Sequence, residues 1–233
     1  MNGAKPEMAI PKRPTYDAHR LVERQVSHLF GLSRSEKRLS RAAATSALEA
    51  TGECLRTTPG KYEESFKYLN SNHSLVYVYW LSHFSHKLSN GTDSLATKLY
   101  LLNKALHAVD IFFEVEMPSA FFCEHPVGSV MGRADYGDRF FFYQNCTVGG
   151  SLRGGRLSYP KLGVNVRMYS GSSILGDAHV GDNVTLGAGA IVKNESVGPN
   201  SIVFGQSPNL TVKPLSHPRH AAEPKLEPEL PQL

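Results

Sequence analysis

The chain has 233 residues, of which 41% are hydrophobic and 20% charged, with a formal net charge of +4. This composition supplies apolar material for one or two packed domains and excludes a wholly disordered chain. The mild positive balance suits anionic ligands but falls short of a nucleic-acid-binding signature, and no apolar run reaches the roughly 20 residues that span a bilayer.

Residues 1–13 carry basic side chains and prolines without the apolar centre of a secretory signal, and read as a flexible arm. Residues 14–113 read as an α-helical domain. Leu21, Val22, Val26, Leu29 and Phe30 recur at spacings of three and four, and so do Leu75, Tyr77, Val78, Trp80, Leu81 and Phe84. Thr92-Asp93 before Leu95, Leu99, Leu102 and Leu106 reads as the capped start of a last helix. Cys54, Cys123 and Cys146 have neither CxxC nor Cys/His ligand spacing. They read as reduced, buried thiols of a cytoplasmic protein with no metal site.

Over residues 114–213 the period changes to six. Val130, Tyr136, Phe142 and Val148 stand six apart, and Leu162, Met168, Ile174, Val180, Leu186 and Val192 continue the step after an interruption. One edge is then shortened by a residue, and Val197 and Val203 resume the pattern. A hexad is a short strand plus a turn, and three make one triangular coil whose apolar residue points inward. Asp182-Asn183 and Pro199-Asn200 supply turn residues that tolerate positive φ. The expected fold is therefore mainly β, a left-handed parallel β-helix of hexapeptide repeats preceded by an α-helical N-terminal domain. Residues 214–233 are proline-rich and charged and read as a disordered tail.

The segment Glu124-His125-Pro126-Val127-Gly128-Ser129-Val130-Met131-Gly132 resembles the Asp-His-x-x-Gly-x-x-x-Gly segment that carries the catalytic histidine of serine acetyltransferases. The run from Gln144 through Thr147-Val148-Gly149-Gly150 is similar to that family's Gln-x-Val-Thr-Leu-Gly-Gly, and Phe113 to Pro118 looks like its approach to the first coil. Together with Phe204-Gly205-Gln206-Ser207-Pro208-Asn209, the Glu-His-Pro run looks like a branch of the family linked to surface-polysaccharide gene sets.

The resemblance implies acetyl transfer from acetyl-CoA, with His125 as base. An alcohol attacks a thioester at neutral pH only if its proton leaves as the bond forms, and imidazole suits that task. A carboxylate on the far ring nitrogen would orient the imidazole. Aligning the approach segment selects Glu116, and counting back by the family's spacing selects Asp110, with Glu114 a further candidate. The resemblance also implies an acceptor site drawn from Glu124, Gln144, Arg156, Ser158 and Tyr159. It puts the coenzyme along Gly150, Gly171, Gly187, Ala188, Gly189 and Gly205, with Lys193 and Lys213 towards its phosphates. Ser158-Tyr159 stands where serine acetyltransferases carry the Arg-His pair that holds L-serine. This departure favours a saccharide hydroxyl of capsule or lipopolysaccharide as acceptor, with serine O-acetylation for cysteine biosynthesis as the alternative.

Two readings of other classes compete. A metal-dependent hydratase of the γ-carbonic-anhydrase type needs three histidine ligands from adjacent coils, and the coils hold only His125 and His179. A non-catalytic trimeric scaffold would leave the His125 segment without a role. The expected assembly is a homotrimer or a dimer of trimers, with sites at subunit boundaries, binding a small-molecule acceptor and acetyl-CoA but no nucleic acid.

Overall fold

The computed structural model describes residues 14–57 and 66–215. The N-terminal arm and all of the tail beyond residue 215 lie outside the described residues. Four helices come first: α1 (Pro14–Phe30), α2 (Arg34–Thr57), α3 (Ser71–Leu88) and α4 (Ser94–His107). The third is the hub. Every residue from His73 to His83 is buried, as befits a helix with apolar neighbours all round. Two of its polar groups are paired inside: the Tyr79 hydroxyl donates to the Val115 carbonyl at 2.6 Å and Ser82 Oγ to the Ala96 carbonyl at 2.7 Å.

The helix ends follow from local chemistry. Ahead of α2, Glu36 N donates to Ser33 Oγ at 3.2 Å and Ser33 N to the Glu36 carboxylate at 2.7 Å, a reciprocal capping box. Asp93 does precede α4, but its side chain makes no cap hydrogen bond. Its carboxylate instead accepts from His86 Nδ1 and Ser89 Oγ. Among the described residues no helix is long and apolar enough to cross a membrane.

Beyond Ala108 the chain winds into a three-sided parallel β-solenoid. Its first side stacks β1 (Asp110–Ile111), β3 (Val130–Met131), β6 (Thr147–Gly149), β11 (Ser173–Leu175) and β14 (Ile191–Lys193). The second side stacks β2 (Phe121–Cys123), β5 (Phe140–Phe142), β10 (Arg167–Met168), β13 (Thr185–Leu186) and β16 (Ser201–Gln206). The third stacks β4 (Asp135–Tyr136), β9 (Lys161–Leu162), β12 (His179–Val180) and β15 (Ser196–Val197). A hairpin of β7 (Ser151–Arg153) and β8 (Arg156–Ser158) interrupts the third coil, and β17 (Asn209–Pro214) folds back antiparallel along β16.

The strand registers align three inward columns. Ile111, Met131, Val148, Ile174 and Val192 fill the first. Cys123, Phe142, Met168, Leu186 and Val203 fill the second, and Tyr136, Leu162, Val180 and Val197 the third.

Two expectations need correction. Val130 is not an inward residue: it is 40% exposed, and Met131 beside it is 1% exposed. The step from first to third side is five residues in this coil, 131 to 136, as it is from 192 to 197, so counting six back from Tyr136 goes one position too far. The solenoid also starts at Asp110 rather than at residue 114. Ile111, Met117 and Cys123 already keep the six-residue step and are buried, but the apolar run Ile111-Phe112-Phe113 reads as a continuing helix.

At the turns between third and second sides, Asn165, Asn183 and Asn200 hold φ values of 59°, 56° and 53°. Their amides form a ladder, with Asn165 Nδ2 donating to Asn183 Oδ1 at 2.9 Å and Asn183 Nδ2 to Asn200 Oδ1 at 3.0 Å. The helices rest on the first coil, where the Tyr79 and Trp80 rings lie 5.5 and 5.9 Å from that of Phe121.

Candidate active site

From the second side to the first, most coils take six residues between inward positions, as from Phe142 to Val148; the first coil takes eight, from Cys123 to Met131. The two extra residues form a bulge. His125 turns at φ 50°, Val127 N donates back to the His125 carbonyl at 2.8 Å, and Asn145 N donates to the Val127 carbonyl at 3.0 Å. Gly128 closes the bulge at φ 79°, directly over Asn145; an added Cβ there would lie 2.3 Å from Asn145 Oδ1.

The bulge pushes the imidazole out of the corner. His125 is 80% exposed in its side chain and Glu124 only 16%, with His125 Nε2 3.9 Å from Glu124 Oε1. That distance is an electrostatic contact rather than a hydrogen bond. The Glu124 charge also acts on the Tyr143 phenol, whose pKa is pushed up to about 12, mainly by burial and then by that charge. Tyr143 stacks on Tyr169 in the next coil, with centroids 5.1 Å apart and planes 12° apart.

Asp110 and Glu116 fall on different sides of the prism. Asp110 pairs with Val130 on the first side, just past the bulge, and its amide donates to the Ser129 carbonyl at 2.9 Å. Its carboxylate accepts from the Tyr100 hydroxyl and from Lys104 Nζ, both at 2.8 Å. Glu116 precedes the buried Met117, midway between Ile111 on the first side and Cys123 on the second. It pairs with Lys87 Nζ at 2.5 Å and approaches His83 Nε2 at 3.6 Å; the Lys87 hydrogen bond holds its carboxyl below the usual range. The first coil carries Glu116 away from the His125 corner, contrary to the sequence alignment. Glu114 is engaged by Arg133 at 2.7 Å.

The hairpin leaves from the opposite edge of the first side. Gly150 is required there, because a Cβ would lie 2.9 Å from both the Ser158 carbonyl and the Tyr159 ring. Arg156 is exposed, and Ser158 Oγ donates to the Ser151 carbonyl at 3.4 Å. Gly150, Arg156, Ser158 and Tyr159 therefore share the corner between first and third sides, and a single chain does not bring them to His125.

The residues assigned to the coenzyme divide likewise. Gly171 and Gly189, at φ 71° and 70°, continue the His125 corner down the solenoid, and a Cβ at Gly189 would meet nothing within 4 Å. Ala188 beside them is exposed. Gly187 is roofed by the Phe204 ring, 2.6 Å from where its Cβ would stand. Gly205, at φ 81°, lies near the end of β16, opposite Leu210 of β17; Lys213 lies on β17 and Lys193 on β14, both exposed. Gln144 is on the His125 corner, where its carbonyl accepts from Gly171 N at 2.9 Å and its buried Oε1 has no partner among the described residues.

Sequence reasoning missed Tyr143 and Tyr169. A signal was there: both directly follow an inward residue, at the outward position that Gly163, Gly181 and Gly187 occupy elsewhere. His179 is exposed and lies 3.6 Å from Asp177 Oδ1. Among the described residues, no three His, Cys, Asp or Glu side chains gather where they could hold a metal ion.

No family model matches the chain. It is 31% identical to a serine acetyltransferase of Synechococcus elongatus over 124 residues, covering 50% of this chain and 50% of that protein. It is 30% identical to one of Mycobacterium tuberculosis over 132 residues, covering 56% and 57%. The chain thus spans about half the length of these curated relatives. Among solved structures, Neisseria gonorrhoeae serine acetyltransferase superposes with a TM-score of 0.69 at 20% identity, over 90% of this chain and 83% of that one. A serine acetyltransferase in complex with CoA gives 0.64 at 16%, over 84% and 83%. In sequence the chain is similar to serine acetyltransferases, and in structure it has their fold, a parallel β-solenoid of about five turns behind an α-helical region.

Proposed function

We propose that the protein transfers an acetyl group from acetyl-CoA to the hydroxyl of a small acceptor, with His125 as general base. The observation that carries this reading is the bulge: it holds an exposed imidazole beside a carboxylate, 3.9 Å away, at the head of the open corner formed by Gly171, Ala188 and Gly189. His125 takes the acceptor proton as the oxygen attacks the thioester carbonyl. When the tetrahedral intermediate collapses, the C–S bond breaks and the imidazolium returns the proton to the thiolate, leaving the acetyl ester and free CoA. Asp110, on the same edge, is the orienting carboxylate in this reading.

L-serine is the first acceptor. The curated relatives are named serine acetyltransferases, and one solved neighbour is a complex with serine. A saccharide hydroxyl of capsule or lipopolysaccharide is the second. Ser158-Tyr159 offers no charge for a bidentate grip on the serine carboxylate.

The site is shared between copies in this reading. The His125 corner and the hairpin corner flank the two edges of one side, so a threefold ring sets the hairpin of one copy against the His125 of the next. The assembly is a homotrimer or a dimer of trimers.

Release of CoA thiol, followed with L-serine and with nucleotide sugars side by side, tests the proposal. Turnover of L-serine at kcat/KM of about 10⁴ M⁻¹s⁻¹ or more establishes the serine reading. Turnover of a sugar alone establishes the second, and silence with both returns the chain to the scaffold class.

A further inference from the structure

The turns between third and second sides share one left-handed backbone conformation, filled by Asn165, Asn183 and Asn200 in successive coils. One coil above Asn165 the same place belongs to Arg139, at φ 59°, and Asn165 N donates to the Asp138 carbonyl beside it at 2.7 Å. Asparagine tolerates this backbone and extends the amide ladder, whereas arginine does neither. A repeat that departs from its own rule at one rung keeps that side chain for another purpose.

The Arg139 side chain gains nothing from its own chain in return. Its Nε is buried and has no hydrogen-bond partner among the described residues. The neighbouring Asp138 carboxylate is turned to Ser119 Oγ and the Ala120 amide, at 3.0 and 3.4 Å. Arginine cannot shed its proton to escape burial, so a partly desolvated guanidinium calls for an anion. Arg167, on β10 one coil below, lines the same pocket. It is 7% exposed, and its guanidinium carbon lies 5.7 Å from the centre of the Phe141 ring. Stacking occupies the face of a guanidinium and leaves its five N–H donors along the edge.

Ala120 and phenylalanines of β2 and β5 make up most of the remaining wall, and such an apolar surround strengthens the pull of both charges on an anion. The other two polar lining residues spend their donors elsewhere: Thr57 Oγ1 on the Glu53 carbonyl at 2.8 Å and Asn165 Nδ2 on Asn183 at 2.9 Å. The room for the centre of a water-sized group is about 20 Å³, enough for one such group and too little for a ring. We infer that Arg139 and Arg167 form a binding site for a single phosphate or carboxylate group, at the opposite end of β5 from the His125 corner. The forked donors of arginine match either group. The site goes beyond the acetyl-transfer reading and does not rest on it.

The test follows urea midpoints of the full chain in a low-salt zwitterionic buffer as sodium phosphate or sodium acetate is added. An anion that binds the folded state alone raises the midpoint steadily with its concentration. The wild type should rise with at least one of the two ions, and the ion that acts names the group. Arg139→Asn, which puts the residue of the lower rungs at this one, should be at least as stable without added anion and should lose the response. Arg24→Gln removes an exposed charge from α1 and should keep it, which separates the site from net charge. Calorimetric titration of the acting ion into folded protein should give one site per chain in the wild type. Binding should be at least about 10-fold weaker in Arg139→Asn and in Arg167→Gln, the usual worth of a hydrogen bond to a charged group. Equal responses in wild type and Arg139→Asn, or a wild type with neither a midpoint rise nor a saturable heat, overturn the inference.

Discussion

His125 holds φ at 50°, a conformation that costs a non-glycine residue roughly 1–2 kcal/mol. The bulge accepts that cost because the same turn presents the imidazole to solvent at the mouth of the corner. His125→Ala is expected to lower kcat by roughly 10²–10⁴-fold with the acetyl-CoA KM little changed, read from initial rates of thiol release. The orienting acids separate as cleanly: Asp110→Asn lowers kcat by about tenfold or more, whereas Glu116→Gln leaves it within about twofold, because Glu116 serves Lys87. Equal losses in the two variants would return the orienting role to Glu116. The Glu-His-Pro run was legible in the sequence because its spacing is local. The Tyr143–Tyr169 stack was not, since the hairpin insertion hides that the two residues are one coil apart.

The solenoid was legible as a period, and its phase was not fully so. Six-residue spacing identifies columns, but the corner between first and third sides is one residue shorter in two coils, and only the structure shows which residue of Val130-Met131 points inward. Stability measurements can check the assignment. Met131→Ala should cost about 2–5 kcal/mol in urea unfolding, as a large buried side chain lost from a packed column. Val130→Ala should stay within about 0.5 kcal/mol, as a surface change. The helical elements were readable from apolar spacing in α3 and α4, but the first coil was assigned to them, because phenylalanines next to the buried Ile111 continue an apolar pattern that helix and strand share.

At the scale of the whole molecule, buried neutral histidines make stability depend on pH. His107 lies between Ser71 Oγ at 3.2 Å and Ser74 Oγ at 3.3 Å, and burial pushes its pKa down to about 4 from an ordinary 6.5. Burial lowers His19 and His83 in the same sense. The unfolded chain takes up the His107 proton first, so its contribution is complete above pH 6.5 and is lost as the pH falls towards 4. The swing is up to roughly 3 kcal/mol for His107. Urea midpoints should drop between pH 7 and pH 4.5, and His107→Gln should flatten that dependence; an unchanged slope in the variant would clear His107 of the effect. Sedimentation at micromolar concentration should show the proposed trimer or its dimer, and a monomer would contradict it. The antiparallel return of β17 along β16 bears on how the molecule avoids its own copies. Without it the last coil would end in a bare row of peptide groups, a template on which another solenoid could stack end to end. The first coil is stoppered by helices. A chain cut after Pro208 loses its lower stopper and keeps the upper one, so it should pair end to end with one more copy, visible as a doubled mass in sedimentation, where the full chain stays at a fixed size.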